Sequence, residues 1–139
     1  MFDTVLIAGL GLMGGSMAKT IKARTLSRVL GWNRTRATAE QALADGSIDA
    51  IATEALYKEA DLVIIGLYPQ ATVDWLLENM PKMKKGCVIV DMVGVKQFMV
   101  DHLEQAALDA GVHYVGGHPM AGREFSGLDF ALSTLFDGA

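Results

Sequence analysis

The sequence predicts an α/β fold, a doubly wound and mainly parallel sheet with helices on both faces. Three observations carry that reading. Short runs rich in β-branched and aliphatic residues alternate with longer segments of helical spacing, as expected of strands covered on both sides by helices. A glycine-rich turn separates the first such run from the first helical segment. Finally, 51% apolar residues in a chain of 139 supply enough material for one ordinary core.

Taken in order, Thr-Val-Leu-Ile-Ala at Thr4–Ala8 reads as the first strand, and Leu12–Arg24 as the first helix after the glycine turn. Residues 29–32 form the second strand. The polar pair Thr35 and Arg36 opens a helix that runs through Ala44 and stops at Gly46, and residues 48–52 form a short third strand. Residues 61–67 form the fourth. Pro69 suits the first turn of the next helix, where its missing N–H costs nothing, and that helix extends to about Met80 before Pro81. Residues 87–91 are the fifth strand. A further helix has Phe98, Leu103, Ala106 and Ala107 on one face and ends at Gly111, ahead of a sixth strand at 112–115.

Composition narrows the function. Charged residues are 20% of the chain, and 12 Lys and Arg scattered among 16 Asp and Glu leave a net charge of −4, which gives no nucleic-acid surface. The single cysteine, Cys87, forms no internal disulfide and fits a reducing compartment. No apolar run approaches the roughly 18 to 20 residues that span a bilayer, and Met1-Phe2-Asp3-Thr4 lacks the basic start of a signal peptide. The expectation is a cytoplasmic protein without membrane or metal. Residues 1–139 read as one dinucleotide-binding domain without repeats or linkers. The closing Ser133-Thr134-Leu135-Phe136-Asp137-Gly138-Ala139 reads as an element cut off at its start, so a fragment of a longer protein is expected.

Gly9-Leu10-Gly11-Leu12-Met13-Gly14 is a G-x-G-x-x-G placed after the first strand and opening the first helix. In that context the first glycine permits the tight turn, the second lets the backbone approach a pyrophosphate, and the third allows close helix–strand packing. The anion lies at the helix N-terminus. This is the signature of a Rossmann-type fold. The residue ending the second strand selects the dinucleotide, because a carboxylate there bonds the ribose 2′-OH and repels a 2′-phosphate. Asn33 holds that position, followed by Arg34, Thr35 and Arg36, so the site has no acid and offers two guanidinium groups and a hydroxyl. NADP is favoured. The alternative leaves these residues in solvent with Thr35 as a helix N-cap, and NAD then fits through Asn33.

Three further stretches lie at the carboxyl edge of the sheet, where open α/β folds bind ligands. The backbone of Gly66-Leu67-Tyr68-Pro69 is placed to line the adenosine and nicotinamide ribose side, with Leu67, Tyr68 and Pro69 assigned to the cofactor. Asp91-Met92-Val93-Gly94-Val95-Lys96 follows the fifth strand, with Val93 and Gly94 assigned to the cofactor. Asp91 reads equally as a helix cap and Lys96 as a surface lysine. Gly116 to Gly127 follows the sixth strand, and within it His118 sits between two glycines and a proline, a constrained backbone suited to aiming a side chain. An imidazole beside a nicotinamide is the usual base for a hydroxyl proton. His102, in a polar helix, and His113, alternating along a strand, read as structural.

These motifs together resemble the prephenate and arogenate dehydrogenases of tyrosine biosynthesis. The resemblance covers the whole chain as the nucleotide-binding half. It rests on Gly9 to Ser16, on Asp91 to Lys96, and above all on Gly117-His118-Pro119-Met120-Ala121-Gly122 with Glu124, Ser126 and Gly127. It implies NAD(P)-dependent oxidative decarboxylation, with His118 as the catalytic histidine and Glu124 near the substrate entrance. Gly94, Arg123 and Ser126 complete the implied substrate contacts. A helical dimerisation domain is implied beyond residue 139, making the full-length protein a homodimer and leaving this fragment able to bind dinucleotide but little able to turn over substrate. Two positions depart from the family pattern: Gly94 stands where many members have a serine, and Arg123 where a small hydroxyl residue is common.

Two other functions compete. A β-hydroxyacid dehydrogenase shares the glycine turn and often an Asn-Arg-Thr after the second strand, but takes its catalytic lysine from a second domain. A non-catalytic NADP sensor would not need His118.

Overall fold

Alternation along the central strand explains how the layers assemble. The computed structural model describes residues 2–93, 96–117 and 127–138. In β1 (Thr4–Ala8), Leu6 and Ala8 face one side of the sheet while Val5 and Ile7 face the other, as the two-residue repeat of a strand requires. All four are buried, so both sides are covered. β2 (Arg28–Trp32), β3 (Ala50–Ile51), β4 (Leu62–Ile65), β5 (Val88–Asp91) and β6 (His113–Gly116) complete a parallel sheet of order β3-β2-β1-β4-β5-β6. β1 pairs with β2 from Thr4↔Arg28 to Ala8↔Trp32 and with β4 from Val5↔Leu62 to Ala8↔Ile65.

On the Val5 and Ile7 face lie α1 (Leu12–Arg24) and α2 (Arg36–Ala44), contributing Ala18, Ala39 and Ala42 to the core. Opposite them, α3 (Glu54–Tyr57), α4 (Pro69–Asn79) and α5 (Lys96–Ala110) bring Tyr57, Val73, Leu76, Met99 and Leu103 against Leu6, Val63, Ile65 and Ile89. Trp75 of α4 stacks obliquely on Trp32 and Tyr57, with ring centroids 5.6 and 5.5 Å away. The chain changes faces between β3 and β4, so β1 and β4 are neighbours whose following helices leave in opposite directions. A crevice opens at their carboxyl ends.

Most departures from the sequence reading are at strand ends. The third strand keeps only two residues, because the Ile48 amide still bonds the carbonyl of Ala42 at the end of α2. The fourth stops at Ile65, and the fifth and sixth start one residue later than expected. α3 was not foreseen, and α4 tightens into a 3-10 turn at Met80–Lys82.

The largest departure is at the chain's end, where Leu128–Phe130 forms a 3-10 turn and the following residues lie across α1. α1 buries only small residues on its inner side, namely Gly14, Gly15, Ser16 and Ala18. The strap fills what they leave: a Cβ on Gly15 would stand 2.7 Å from Leu128 and 3.1 Å from Ala131. Ser16 Oγ accepts the Leu132 amide at 3.0 Å, and Thr20 Oγ1 donates to the Ser133 carbonyl at 3.0 Å. Arg24 pairs with Asp137, and Gln41 of α2 donates to Asp129 at 2.6 Å.

Candidate functional site

The crevice between β1 and β4 is a cleft of about 590 Å³ lined by Gly9, Gly11, Leu12, Met13, Asn33, Arg34, Gly66, Leu67, Tyr68, Ala71, Met92 and Gly127. The three glycines of the turn behave differently, and the geometry says why. Gly9 has φ +93°, and a Cβ on it would stand 2.8 Å from the Gly66 carbonyl oxygen. Gly14 packs so tightly that a Cβ would overlap the Gly9 carbonyl oxygen. Around Gly11 there is only open space, with no atom within 4 Å of a Cβ. That opening adjoins the first turn of α1, which has Gly11 as its N-cap, no side-chain cap and no acidic residue, so its amides remain available to an anion. The donor set fits a pyrophosphate.

Hydrogen bonds fix the turn to the end of β2. The Gly9 amide donates to the Trp32 carbonyl at 2.8 Å, and the Leu10 amide donates to Asn33 Oδ1 at 2.9 Å. Asn33 Nδ2 in turn donates to the Thr35 carbonyl at 3.1 Å. Asn33 therefore lines the cleft as a latch, with the oxygen that would serve a ribose hydroxyl turned toward Leu10. Arg34 lines the cleft and is exposed. Thr35 occupies the N-cap position of α2, but its hydroxyl makes no cap bond. Arg36 lies along α2 in an exposed pair with Glu40 at 3.3 Å, so that of these two arginines Arg34 is the one lining the cleft.

Other expected cofactor residues are dispersed. Leu67 and the exposed Tyr68 form the α4 side of the cleft, while Pro69 is the first residue of α4 and does not line it. Leu10 and Val93 are buried, the first contributing its amide to Asn33 and the second to Asp91. Gly66 and Met92, which belong to the two stretches expected at this edge, line the cleft, as do Ala71 and Gly127, which were not assigned to it. A glycine closing a β-branched run and an alanine in the first turn of α4 were signals of close approach. Met92 gave none.

Asp91 and Lys96, read from sequence as a helix cap and a surface lysine, meet in an ion pair, with the Lys96 side chain still about a third exposed. Asp91 is fully buried, and its carboxylate accepts from the Val93 amide at 2.9 Å, from the Lys96 ammonium and from the Tyr114 hydroxyl. Lys96 is therefore anchored. Burial first, and then the neighbouring Asp91 carboxylate, push the Tyr114 phenol well above its ordinary value, so its hydroxyl keeps its proton and donates. His102 donates through Nδ1 to the Phe98 carbonyl, 2.7 Å away, and His113 is exposed on β6. Gly94, His118, Arg123, Glu124 and Ser126 lie outside the described residues, which resume at Gly127 on the cleft wall. No helix of the described residues is long and apolar enough to cross a membrane.

Comparison with known proteins places this geometry. The family model described as the nucleotide-binding domain of prephenate dehydrogenase matches residues 17–139. A prephenate dehydrogenase of Bacillus subtilis is 38% identical over 143 residues, covering 100% of this chain and 38% of that protein. The crystal structure of prephenate dehydrogenase from Aquifex aeolicus, in complex with hydroxyphenyl propionate and NAD+, superposes with a TM-score of 0.88 at 27% identity, covering 99% of this chain and 49% of that one. Arogenate dehydrogenase of Synechocystis superposes with a TM-score of 0.80 at 26% identity, over 92% of this chain and 45% of that one. The chain thus spans less than half the length of the relatives it matches.

Proposed function

Because the chain belongs to the prephenate dehydrogenase family, as its nucleotide-binding domain, we propose that it is the cofactor-binding part of an NAD(P)-dependent enzyme that oxidatively decarboxylates prephenate or arogenate. The product is 4-hydroxyphenylpyruvate or tyrosine. The observation that carries the reading is the cleft at the β1/β4 switch, where open space at Gly11 meets the uncapped amides of α1. A hydroxyphenyl compound held together with NAD+ in the Aquifex aeolicus relative supports a hydroxyphenyl product here.

Within that activity the residues divide the work. The amides opening α1 bind the pyrophosphate, Asn33 holds the turn in shape, and Arg34 meets the 2′-phosphate of NADP at a position without a carboxylate. When bound, the nicotinamide supplies the hydride acceptor. His118 takes the proton of the ring hydroxyl, Glu124 stands near the substrate entrance, and Gly94, Arg123 and Ser126 contact the substrate. Aromatisation of the ring on loss of CO₂ drives the reaction. A helical dimerisation domain supplies the remaining substrate contacts, and the complete protein is a cytoplasmic homodimer; the much greater length of the relatives supports the further domain.

The test is turnover by the complete gene product with prephenate and with arogenate, each with NADP+ and NAD+, followed as reduced nicotinamide. One of the two substrates is oxidised, and His118→Asn lowers kcat by about 10²-fold or more, the contribution of a positioned base. Oxidation of small β-hydroxy acids instead, or full activity in His118→Asn, contradicts the reading.

A further inference from the structure

Asp91 ends β5 with its carboxylate fully buried, an arrangement that is costly unless the charge is matched. Its three donors come from three separate places: the Val93 amide in the loop after β5, Lys96 at the first residue of α5, and Tyr114 on β6. They gather beside one stretch of backbone. Asp91 pairs with Gly116 in the β5–β6 register, and the Lys96 stem runs along Gly116, with Cδ 3.2 Å from where a Cβ would stand. A Cβ on Gly117 would lie 2.9 Å from the Asp91 carbonyl oxygen and 3.1 Å from Val90. Both glycines are pressed against the cluster, and His118 is the next residue in the chain.

We propose that Asp91 and Tyr114 are positioning residues for the reaction: with Lys96 they clamp the Gly116–Gly117 strand end from which His118 follows. This rests on the role given to His118 above. Stability alone does not call for such a cluster, since well-packed apolar side chains commonly serve a core as well as a buried ion pair does. A bond network linking β5, α5 and β6 does what apolar packing cannot, by fixing direction as well as distance. Misplacing a reacting group by about 1 Å costs up to about 10²-fold in rate.

The complete gene product distinguishes positioning from mere support. Tyr114→Phe removes one hydroxyl and keeps the ring: it lowers kcat roughly tenfold while the Kd for dinucleotide stays near wild type, and the melting temperature falls by the few degrees that one lost donor to a buried carboxylate costs. Asp91→Asn lowers kcat further. His118→Asn is measured in parallel. Unchanged kcat in Tyr114→Phe overturns the inference, as does a loss of kcat matched by an equal fold-loss of dinucleotide affinity. If His118→Asn abolishes turnover while Tyr114→Phe leaves it intact, the inference alone fails. If His118→Asn is fully active, or the wild type oxidises neither substrate, the functional reading fails and this inference falls with it.

Discussion

The amide of Leu10 donates to Oδ1 of Asn33 at 2.9 Å, joining two residues 23 apart in sequence across the mouth of the cleft. Leu10 is fully buried, so the bond leaves its amide no competing solvent, and it fixes the glycine turn against the segment that carries Arg34. Removing the acceptor in Asn33→Ala leaves that amide unmet and lowers stability by about 1–3 kcal/mol. Affinity for NADP and NAD falls by a similar factor, because the shared pyrophosphate turn loosens while Arg34 stays. Thermal unfolding and paired titrations check both parts.

Gly11 and Gly14 respond oppositely to the same added methyl group. Gly11 has φ −78°, which alanine adopts freely, and its Cβ would point into empty space. Gly11→Ala therefore folds with a cost of no more than about 1 kcal/mol and loses dinucleotide affinity, since the methyl occupies the approach to the amides. Gly14→Ala drives the methyl into the Gly9 carbonyl oxygen and costs about 3 kcal/mol or more, with binding lost through the fold. Circular dichroism melts set beside dinucleotide titration separate the two.

Leu128 is nearly fully buried against Gly15 of α1 and anchors the strap. Leu128→Ala removes that anchor and destabilises the domain by about 2–4 kcal/mol. Protection of the Leu132 amide, bonded to Ser16 Oγ, drops with it in hydrogen exchange. Unaltered protection would separate the strap from Leu128.

Asp61 holds the start of β1, its Oδ2 accepting the Thr4 amide at 2.9 Å while Oδ1 pairs with Lys84. The Lys84 ammonium, and next the Thr4 amide, keep its carboxyl below the ordinary 3.8. A carboxyl lowered in the folded state adds stability that is complete above the unfolded value and disappears as pH falls through the folded one. Asp61→Asn therefore lowers stability at neutral pH and flattens the acid limb of the melting-temperature profile below about pH 4. An acid limb identical to wild type would contradict this.

Cys87 is buried, and burial pushes its thiol up to about 11. The thiolate is the reactive form, so the native protein is inert to thiol reagents at pH 8 and reacts when denaturant unfolds it. Rapid labelling without denaturant would contradict the burial.

The sheet was legible because strands such as Leu62–Ile65 are buried on both faces and write themselves as continuous apolar runs. The first helix was legible end to end, since its glycine turn and its basic last turn mark both boundaries. Strand ends were less so, as at Ile48, because the tertiary bond to Ala42 carries no local signal. The glycine turn and Arg34 came from local pattern alone. Neither the latch at Asn33 nor the bond from Tyr114 to Asp91 could, because the partner lies 23 residues away in each case. The strap was unreadable for a different reason: its Leu128 and Ala131 fill a groove that exists only once α1 has packed its small residues inward.

The most direct test of a dinucleotide site at this cleft is titration of the protein with NADP+ and NAD+ at matched ionic strength, repeated with Arg34→Asp. Tighter binding of NADP+ that inverts in the variant is the predicted result. Binding of neither dinucleotide contradicts the site itself, and NAD+ binding as tight as NADP+ contradicts the role of Arg34.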